Sequence, residues 1–286
     1  MTIESSYSQI HKLNSSYPEA NSNVSEGDDH LRGIKTALRA DWPPQGHIAG
    51  LTLSNDTDTD HDIAIAAGEC ADSGHDYLMK LSATLTKQID AAWSAGDDAG
   101  GMFTGSVAND TWYHVFLIRK DSDGSIDAGF DTSVSAANIP SGYTAYRRIG
   151  SILTDGSANI LEFMQEGDNF YWRAPVSDYA AAAQNGTPSA SLTLTVPTGI
   201  QVVARVAVAL GSSAGTSRYL LVLNPDMTDL AASSSNYSIQ TSDSAAGYSA
   251  GQVVQVKTNT SAQLKYNATT TNIAIFMTQG WIDARV

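Results

Sequence analysis

Hydrophobic positions follow a helical spacing near the start of the chain and a strand-like spacing from about residue 47 onward. Leu31, Ile34 and Leu38 repeat every three or four positions, as they would on one face of an amphipathic helix. Pro43 and Pro44 would end such a helix, and beyond them apolar residues alternate with polar ones or form short continuous runs. The pattern predicts one helix followed by a long β-rich region.

The predicted helix covers residues 25–42 and has a narrow apolar face. Ser25 is placed to cap its first turn. A helix of about 15 residues with so narrow a face is marginal alone, so it is expected to need a partner surface, either copies of itself or another protein. The predicted attachment or oligomer interface consists of Leu31, Ile34, Leu38 and Trp42. Packing of the same stripe against the chain's own β region is the alternative.

The run Trp112–Ile118 is apolar on both faces apart from His114, and it predicts a central strand buried on both sides. His114 is expected to be a hydrogen-bonded core histidine. Asp121–Gly124 follows as a predicted hairpin turn. Strand signals recur through the rest of the chain without intervening helices, which favours a sandwich or a barrel.

The predicted fold class is mainly β, with a short N-terminal helical attachment segment followed by two β-sandwich-like domains. A small, polar, turn-rich stretch divides the β region and is interpreted as a linker. The predicted divisions are 1–46 (N-terminal arm and attachment helix), 47–175 (middle β domain), 176–190 (linker) and 191–286 (C-terminal distal β domain).

Charge is low in amount and uneven in distribution. Charged residues make up 16% of the chain, and the net charge is −14. Residues 1–46 contribute −2, residues 47–175 contribute −12, and residues 176–286 are neutral. An acidic body cannot neutralise phosphates and is repelled by anionic lipid, so neither nucleic-acid binding nor membrane insertion is expected. With no basic-then-apolar leader in the sequence, synthesis in a host cytoplasm is expected.

Candidate chemistry is sparse. The lone Cys70 excludes an intrachain disulfide and is expected to be buried as a small apolar residue. Alternate carboxylates at Asp56, Asp58, Asp60 and Asp62 could supply hard oxygen ligands for calcium. An EF-hand would need glycine and glutamate where His61 and Ala67 stand, and a solvated turn that protects a sheet edge is the other interpretation. No cofactor is expected.

Several separated segments resemble one family. The stretch SEGDDHLRGIKTALRADWP resembles the N-terminal helix that precedes the first fibre domain in many bacteriophage tail-fibre and tail-tip proteins. Further segments are similar to a middle domain that often accompanies it, and they occur in the expected order at Gly50–Asp56, Asp62–Asp72, Gly100–Gly124, Tyr146–Gly156 and Gln165–Trp172. The resemblance covers roughly residues 10–178.

The resemblance implies a structural virion protein of the phage tail. It implies a homotrimer, attachment to other tail or baseplate proteins through residues 1–46, and no catalysis in the shared domains. The distal domain would face the target, possible partners being a host surface glycan or protein, although the sequence identifies no individual receptor-binding residue. Loops rich in Ser, Asn and Tyr at Ser233–Tyr237 and Gln240–Tyr248 suit adaptable polar contacts.

Two alternative functions stay open. A tail adaptor or decoration subunit would use the same attachment helix without forming a fibre by itself. A tail-associated polysaccharide depolymerase would need two carboxylates flanking a sugar site, and residues 176–286 contain only five acidic residues. The protein is therefore expected not to be an enzyme.

Overall fold

The computed structural model describes residues 13, 16, 27–211, 217–241 and 249–285. Those residues contain one α-helix and nineteen β-strands in four sheets, so the chain is mainly β as predicted. The helix, α1, covers Gly27–Asp41. Among the described residues, no helix has the length and apolar character that a membrane crossing requires.

Ten strands follow α1 and build two sheets. They are β1 (Ile48–Gly50), β2 (Leu53–Asn55), β3 (Asp62–Ile65), β4 (Gly68–Ala71), β5 (Leu78–Leu81), β6 (Leu85–Ala92), β7 (Ala99–Met102), β8 (Trp112–Lys120), β9 (Ile126–Asp131) and β10 (Tyr143–Leu153). The larger sheet has seven strands in the order β10-β8-β9-β7-β6-β3-β2, and the smaller has the order β1-β4-β5. Strand β7 runs parallel to β6 and β9, whereas the other pairs are antiparallel.

Strand β8 is buried on both faces, which confirms the prediction from its continuous apolar run. On one face Tyr113, Val115 and Leu117 join the main core, and on the other Phe116 and Ile118 form a separate cluster. The predicted hairpin after β8 is also confirmed, since β8 and β9 are antiparallel neighbours joined by a turn at residues 121–125.

Nine further strands build the C-terminal half. They are β11 (Phe163–Glu166), β12 (Asn169–Ala182), β13 (Ala190–Thr193), β14 (Val203–Gly211), β15 (Arg218–Leu223), β16 (Ile239–Thr241), β17 (Ser249–Lys257), β18 (Gln263–Ala268) and β19 (Ile273–Ile282). A five-stranded sheet, β11-β12-β19-β14-β17, faces a four-stranded sheet, β13-β18-β15-β16. Tyr266 of β18 and Phe276 of β19 meet between them, with ring centroids 4.8 Å apart.

The predicted linker at residues 176–190 is wrong in its first part, because residues 176–182 belong to β12. This strand pairs with β19 from Asn169 to Ala182, with register shifts after Tyr171 and after Ser177. The small and polar residues of this stretch predicted a linker, but pairing with β19 satisfies the backbone groups of residues such as Ala180 and Ala182. The predicted boundary at residue 175 therefore falls inside a strand.

A shared aromatic cluster joins the two halves. Trp112 of β8 lies 5.5 Å from Trp281 of β19, and Trp281 stacks on Phe170 of β12 at 5.0 Å between ring centroids. Gly280 lets β19 approach β12 this closely, since a Cβ at that position would clash with the carbonyl oxygen of Phe170. Most of the buried apolar residues of both halves belong to one continuous hydrophobic core.

Candidate interaction surfaces

The apolar stripe of α1 is exposed to solvent. The exposed fractions are 60% for Leu31, 38% for Ile34, 47% for Leu38 and 51% for Trp42. On the same helix His30 and Ala37 are buried. The four side chains predicted as an attachment interface thus keep a large part of their apolar area in solvent, where it is available to a partner.

The start of α1 is organised by charge. Arg32 bonds to Asp28 at 2.7 Å and to Asp29 at 2.6 Å, and the hydrogen bonds to Asp29 and Asp28 raise the pKa of Arg32. Acidic residues in the first turn also favour the helix dipole. Such exposed pairs contribute little to stability, so they leave the need for a partner unchanged. The predicted cap, Ser25, lies outside the described residues.

The acidic segment between β2 and β3 is a hairpin turn. Asp58 accepts a hydrogen bond from the Asp60 amide at 3.2 Å and contacts the Nδ1 atom of His61 at 3.0 Å. Asp56 accepts one from the Thr86 hydroxyl at 2.6 Å. Burial and neighbouring carboxylates, Asp58 above all, raise the pKa of Asp62.

The structure does not bring these carboxylates together as the predicted calcium site. The aspartates are Asp56, Asp58, Asp60 and Asp62, and the described residues contain no group of three or more His, Cys, Asp or Glu that could hold a metal ion. The physical reason is that Asp56 and Asp58 are engaged in closing the turn and bonding to Thr86 and His61. Because β2 is the edge of the seven-stranded sheet, the turn places negative charge beside that edge.

His114 is a buried, hydrogen-bonded core histidine, as the sequence predicts. Its Nδ1 atom lies 2.9 Å from the hydroxyl oxygen of Ser151, and the ring also bonds to the backbone of Thr198. Burial, assisted by the charge of Arg148, lowers the pKa of His114 to about 4. A Ser–His pair can serve in nucleophilic catalysis, but here both side chains are sealed from solvent, so no substrate can reach them.

Beside His114 lies an ionic junction that sequence reasoning missed. Arg148 of β10 donates two hydrogen bonds to Asp283, at 2.6 and 2.7 Å, and both side chains are buried. Arg147 donates to the backbone carbonyl of Arg285 at 2.5 Å, and Arg285 pairs with Asp168 at 2.9 Å. Burial alone would raise the pKa of Asp283, but Arg148 outweighs it and the pKa lies below its usual value.

A second buried ion pair fixes the loop between β6 and β7. The Lys87 ammonium is fully buried and lies 3.2 Å from Asp127, and it donates to the carbonyls of Ser94 and Gly96 at 2.7 and 3.1 Å. Burial lowers the pKa of Lys87 despite Asp127. All three ammonium hydrogens thus have partners, as a buried charge requires. The spacing of residues along the sequence does not predict this pair, because Lys87 and Asp127 lie on different strands.

The C-terminal half has a concave surface near one of the two predicted contact loops. A cavity of about 510 Å³ is bounded by exposed Tyr237 and by polar side chains that include Asn224, Ser238, Gln252 and Gln255. Tyr237 also contacts Tyr219, with ring centroids 5.4 Å apart. In the other loop, Gln240–Tyr248, residues 242–248 lie outside the described residues.

Comparison with known proteins gives no family. No family model matches the chain, and no curated protein matches it either. Among solved structures, the chain shows a weak similarity to a chain of "Structure of infectious bursal disease virus Gx strain", at 10% identity over 82% of this chain and 69% of that one. The TM-score is 0.20, a value that indicates no common fold, and no functional conclusion follows from it.

Proposed function

We propose that the chain is a non-enzymatic structural subunit of a bacteriophage tail, a tail fibre or tail-tip protein. The observation that carries the proposal is the exposed stripe of Leu31, Ile34, Leu38 and Trp42 on α1. This stripe belongs to the segment that resembles the attachment helix of such proteins. A helix that leaves its apolar side chains in solvent gains stability by burying them against a partner.

In this proposal the subunit attaches through residues 1–46 to other tail or baseplate proteins. It assembles as a homotrimer and presents the C-terminal sandwich away from the attachment point. The continuous core between the two halves supports the role, because a subunit that connects a virion to a target must transmit force without separating. Its place is the virion tail, after synthesis in the host cytoplasm.

Replacing Leu31 and Leu38 together by Asp tests the attachment role. Burying a leucine contributes about 1.5–3 kcal/mol, so the double variant should lower incorporation into particles by more than about tenfold. Incorporation is measured by immunoblot of purified particles of the phage that encodes the chain. Leu230→Asp is the matched control, since Leu230 is exposed to a similar degree but lies in the distal half. Wild-type protein absent from purified particles would refute the proposal.

The cavity beside Tyr237 favours host-receptor binding as a second function. An exposed aromatic ring next to amide and hydroxyl groups can bind a polyhydroxylated glycan or a polar protein surface. Purified protein should compete with phage adsorption, and Tyr237→Ala should weaken this competition while the control Tyr77→Ala should not. Tyr77 is exposed to a similar degree but lies in the N-terminal half. Equal competition by both variants would remove the cavity from consideration.

A further inference from the structure

The five-stranded sheet has an outer face that is apolar across four adjacent strands. The register aligns Ala207 of β14 with Val253 of β17 and Met277 of β19. One row further, Ala209 aligns with Gly251 and with Ile275. Residues that pair across antiparallel strands project to the same side of a sheet, so these side chains form one continuous surface.

This face is exposed although its composition is that of a buried one. The exposed fractions are 59% for Ile273, 53% for Val253 and 37% for Ile275. On the opposite face of β14 and β19, side chains such as Val208 and Phe276 are buried in the core between the two sheets. Strands that are apolar on both sides are typical of sheets covered on both sides, whereas a solvated face normally alternates to polar residues.

The shape of the face is that of a ridge beside a groove. Small side chains at Ala207, Ala209 and Gly251 form the floor of a groove of about 340 Å³ between Val253 and Ile275. On its β12 side, Ile273 projects next to Ala182. A face that carries both a projecting apolar ridge and an apolar groove can receive the ridge of an identical face.

Charge favours another copy of this chain as the occupant. Each chain carries −14, and residues 47–175 account for −12 of it, so two copies repel one another over that half. Residues 176–286 carry five basic and five acidic residues. Among the described outward side chains of β14, β17, β19 and residues 176–182, none is a carboxylate, and the charged ones are Arg205 and Lys257 near one end. Away from that end, copies can therefore approach here without like-charge repulsion.

The size of the face suits a stable contact. Strands β14 and β17 are each 9 residues long. Four strands of that length, ~4.8 Å apart with a rise of ~3.3 Å per residue, give roughly 500–600 Å². A stable interface of ordinary size buries about 800 Å² on each partner, so this face supplies most of one.

We infer that copies of this chain associate through the outer face of the five-stranded sheet, with Val253, Ile273 and Ile275 in the contact. The inference rests on the proposed homo-oligomeric subunit and deepens it by naming the contact. It also separates two tasks, since α1 would then be left for other tail proteins while the distal sheets hold the copies together.

The native mass of the full-length protein, measured by light scattering, tests the inference. Wild type is expected at three times the chain mass of 30.2 kDa, and Val253→Lys with Ile273→Lys at that of a single chain. Both side chains are exposed in the single chain, so circular dichroism should show the same strand content. Two controls, Leu230→Lys and the pair Leu31→Lys with Leu38→Lys, are expected to keep the wild-type mass.

A labelling experiment covers the case in which the lysine variant does not fold. Cys70 is buried, and its burial raises the pKa of the thiol to about 12, so it does not compete for maleimide. An Ile273→Cys variant should be protected from maleimide at high protein concentration and should react on dilution. Leu230→Cys should react equally at both concentrations.

Three results would overturn the inference. They are a wild-type protein of single-chain mass, a folded lysine variant that keeps the wild-type mass, and an Ile273→Cys thiol that reacts equally at all concentrations. Association through this face in a protein that is absent from virions would instead refute the proposed function and leave the inference standing.

Discussion

Buried ionisable side chains lie where the two halves of the molecule meet, and they make the stability of the folded protein depend on pH. His114 lies at the centre, bonded to Ser151 and next to Arg148. Its pKa of about 4 is below its ordinary value of 6.5, so the folded state binds the proton more weakly than the unfolded state. The stability that neutral His114 allows is therefore complete above about pH 6.5 and is lost as the pH falls towards 4.

The pH effect can be measured by urea unfolding between pH 7.5 and 4. The lowering of the His114 pKa from 6.5 to about 4 corresponds to about 3 kcal/mol of unfolding free energy. His114→Gln should start from a lower stability at pH 7.5 and should lose less over the same range, because it has no proton to gain. Parallel pH profiles for the two proteins would contradict this account.

Asp283 is expected to matter more than any exposed carboxylate. Asp283→Ala leaves the guanidinium of Arg148 buried without its partner, and the loss of one member of a buried ion pair costs about 3–5 kcal/mol. Asp123→Ala, which removes an exposed carboxylate from a turn, serves as the control and should cost much less. Chemical unfolding of both variants gives the comparison, and equal losses would remove the junction from the stability argument.

Calcium should have no effect on stability. The turn of Asp56, Asp58, Asp60 and Asp62 uses its carboxylates for local hydrogen bonds and does not gather them around a cation. Neither calcium nor EDTA should shift the melting temperature. A reproducible rise with calcium that EDTA reverses would restore the metal interpretation.

Single residues were predictable from the sequence where their role depends on local pattern. The burial of His114 follows from its apolar neighbours, and that of Cys70 from the tendency of free cysteine to pack as a small apolar residue; both predictions are confirmed. The Arg148–Asp283 pair was not predictable, because its members are 135 positions apart and neither belongs to a recognisable motif. The exposure of the outer face of the five-stranded sheet was missed for a related reason. The sequence pattern of an apolar strand predicts burial whether or not another surface covers the strand.

At the scale of elements, the alternation of apolar residues located most strands but could not delimit β12. The predicted central strand at Trp112–Ile118 begins where β8 begins and ends two residues before β8 ends. Residues 169–182 alternate poorly and include Pro175, and their strand conformation depends on pairing with β19. Such a strand is set by its distant partner and not by its own sequence.

Truncation after Pro175 should therefore fail to release a folded N-terminal half. It removes β19, leaves the aromatic side chains of Phe170 and Trp172 uncovered, and deprives Arg148 of Asp283. The truncated chain is expected to aggregate or to give a poorly dispersed amide NMR spectrum. A well-dispersed spectrum from this fragment would show that the predicted boundary at residue 175 is a true domain boundary.

At the scale of the whole molecule, the continuous core predicts a single unfolding event. The Trp112–Trp281 contact and the Arg148–Asp283 pair cross between the halves, so neither half can lose its packing without exposing the other. Calorimetry should show one transition whose calorimetric and van't Hoff enthalpies agree. Two resolved transitions would mean that the halves are independent, as the predicted linker implied.

The sharing of β12 also has a consequence for how this protein can change over evolutionary time. An exchange of coding sequence at residue 176 would separate Phe170 and Trp172 from Trp281 and Arg148 from Asp283, so most such hybrids would not fold. A workable crossover would lie between β10 and β11, in residues 154–162, and the incoming segment would have to bring an acidic partner for Arg148. Natural variants that have acquired a new C-terminal half are therefore expected to keep an acidic partner for Arg148. Hybrids that lack this partner should be rare.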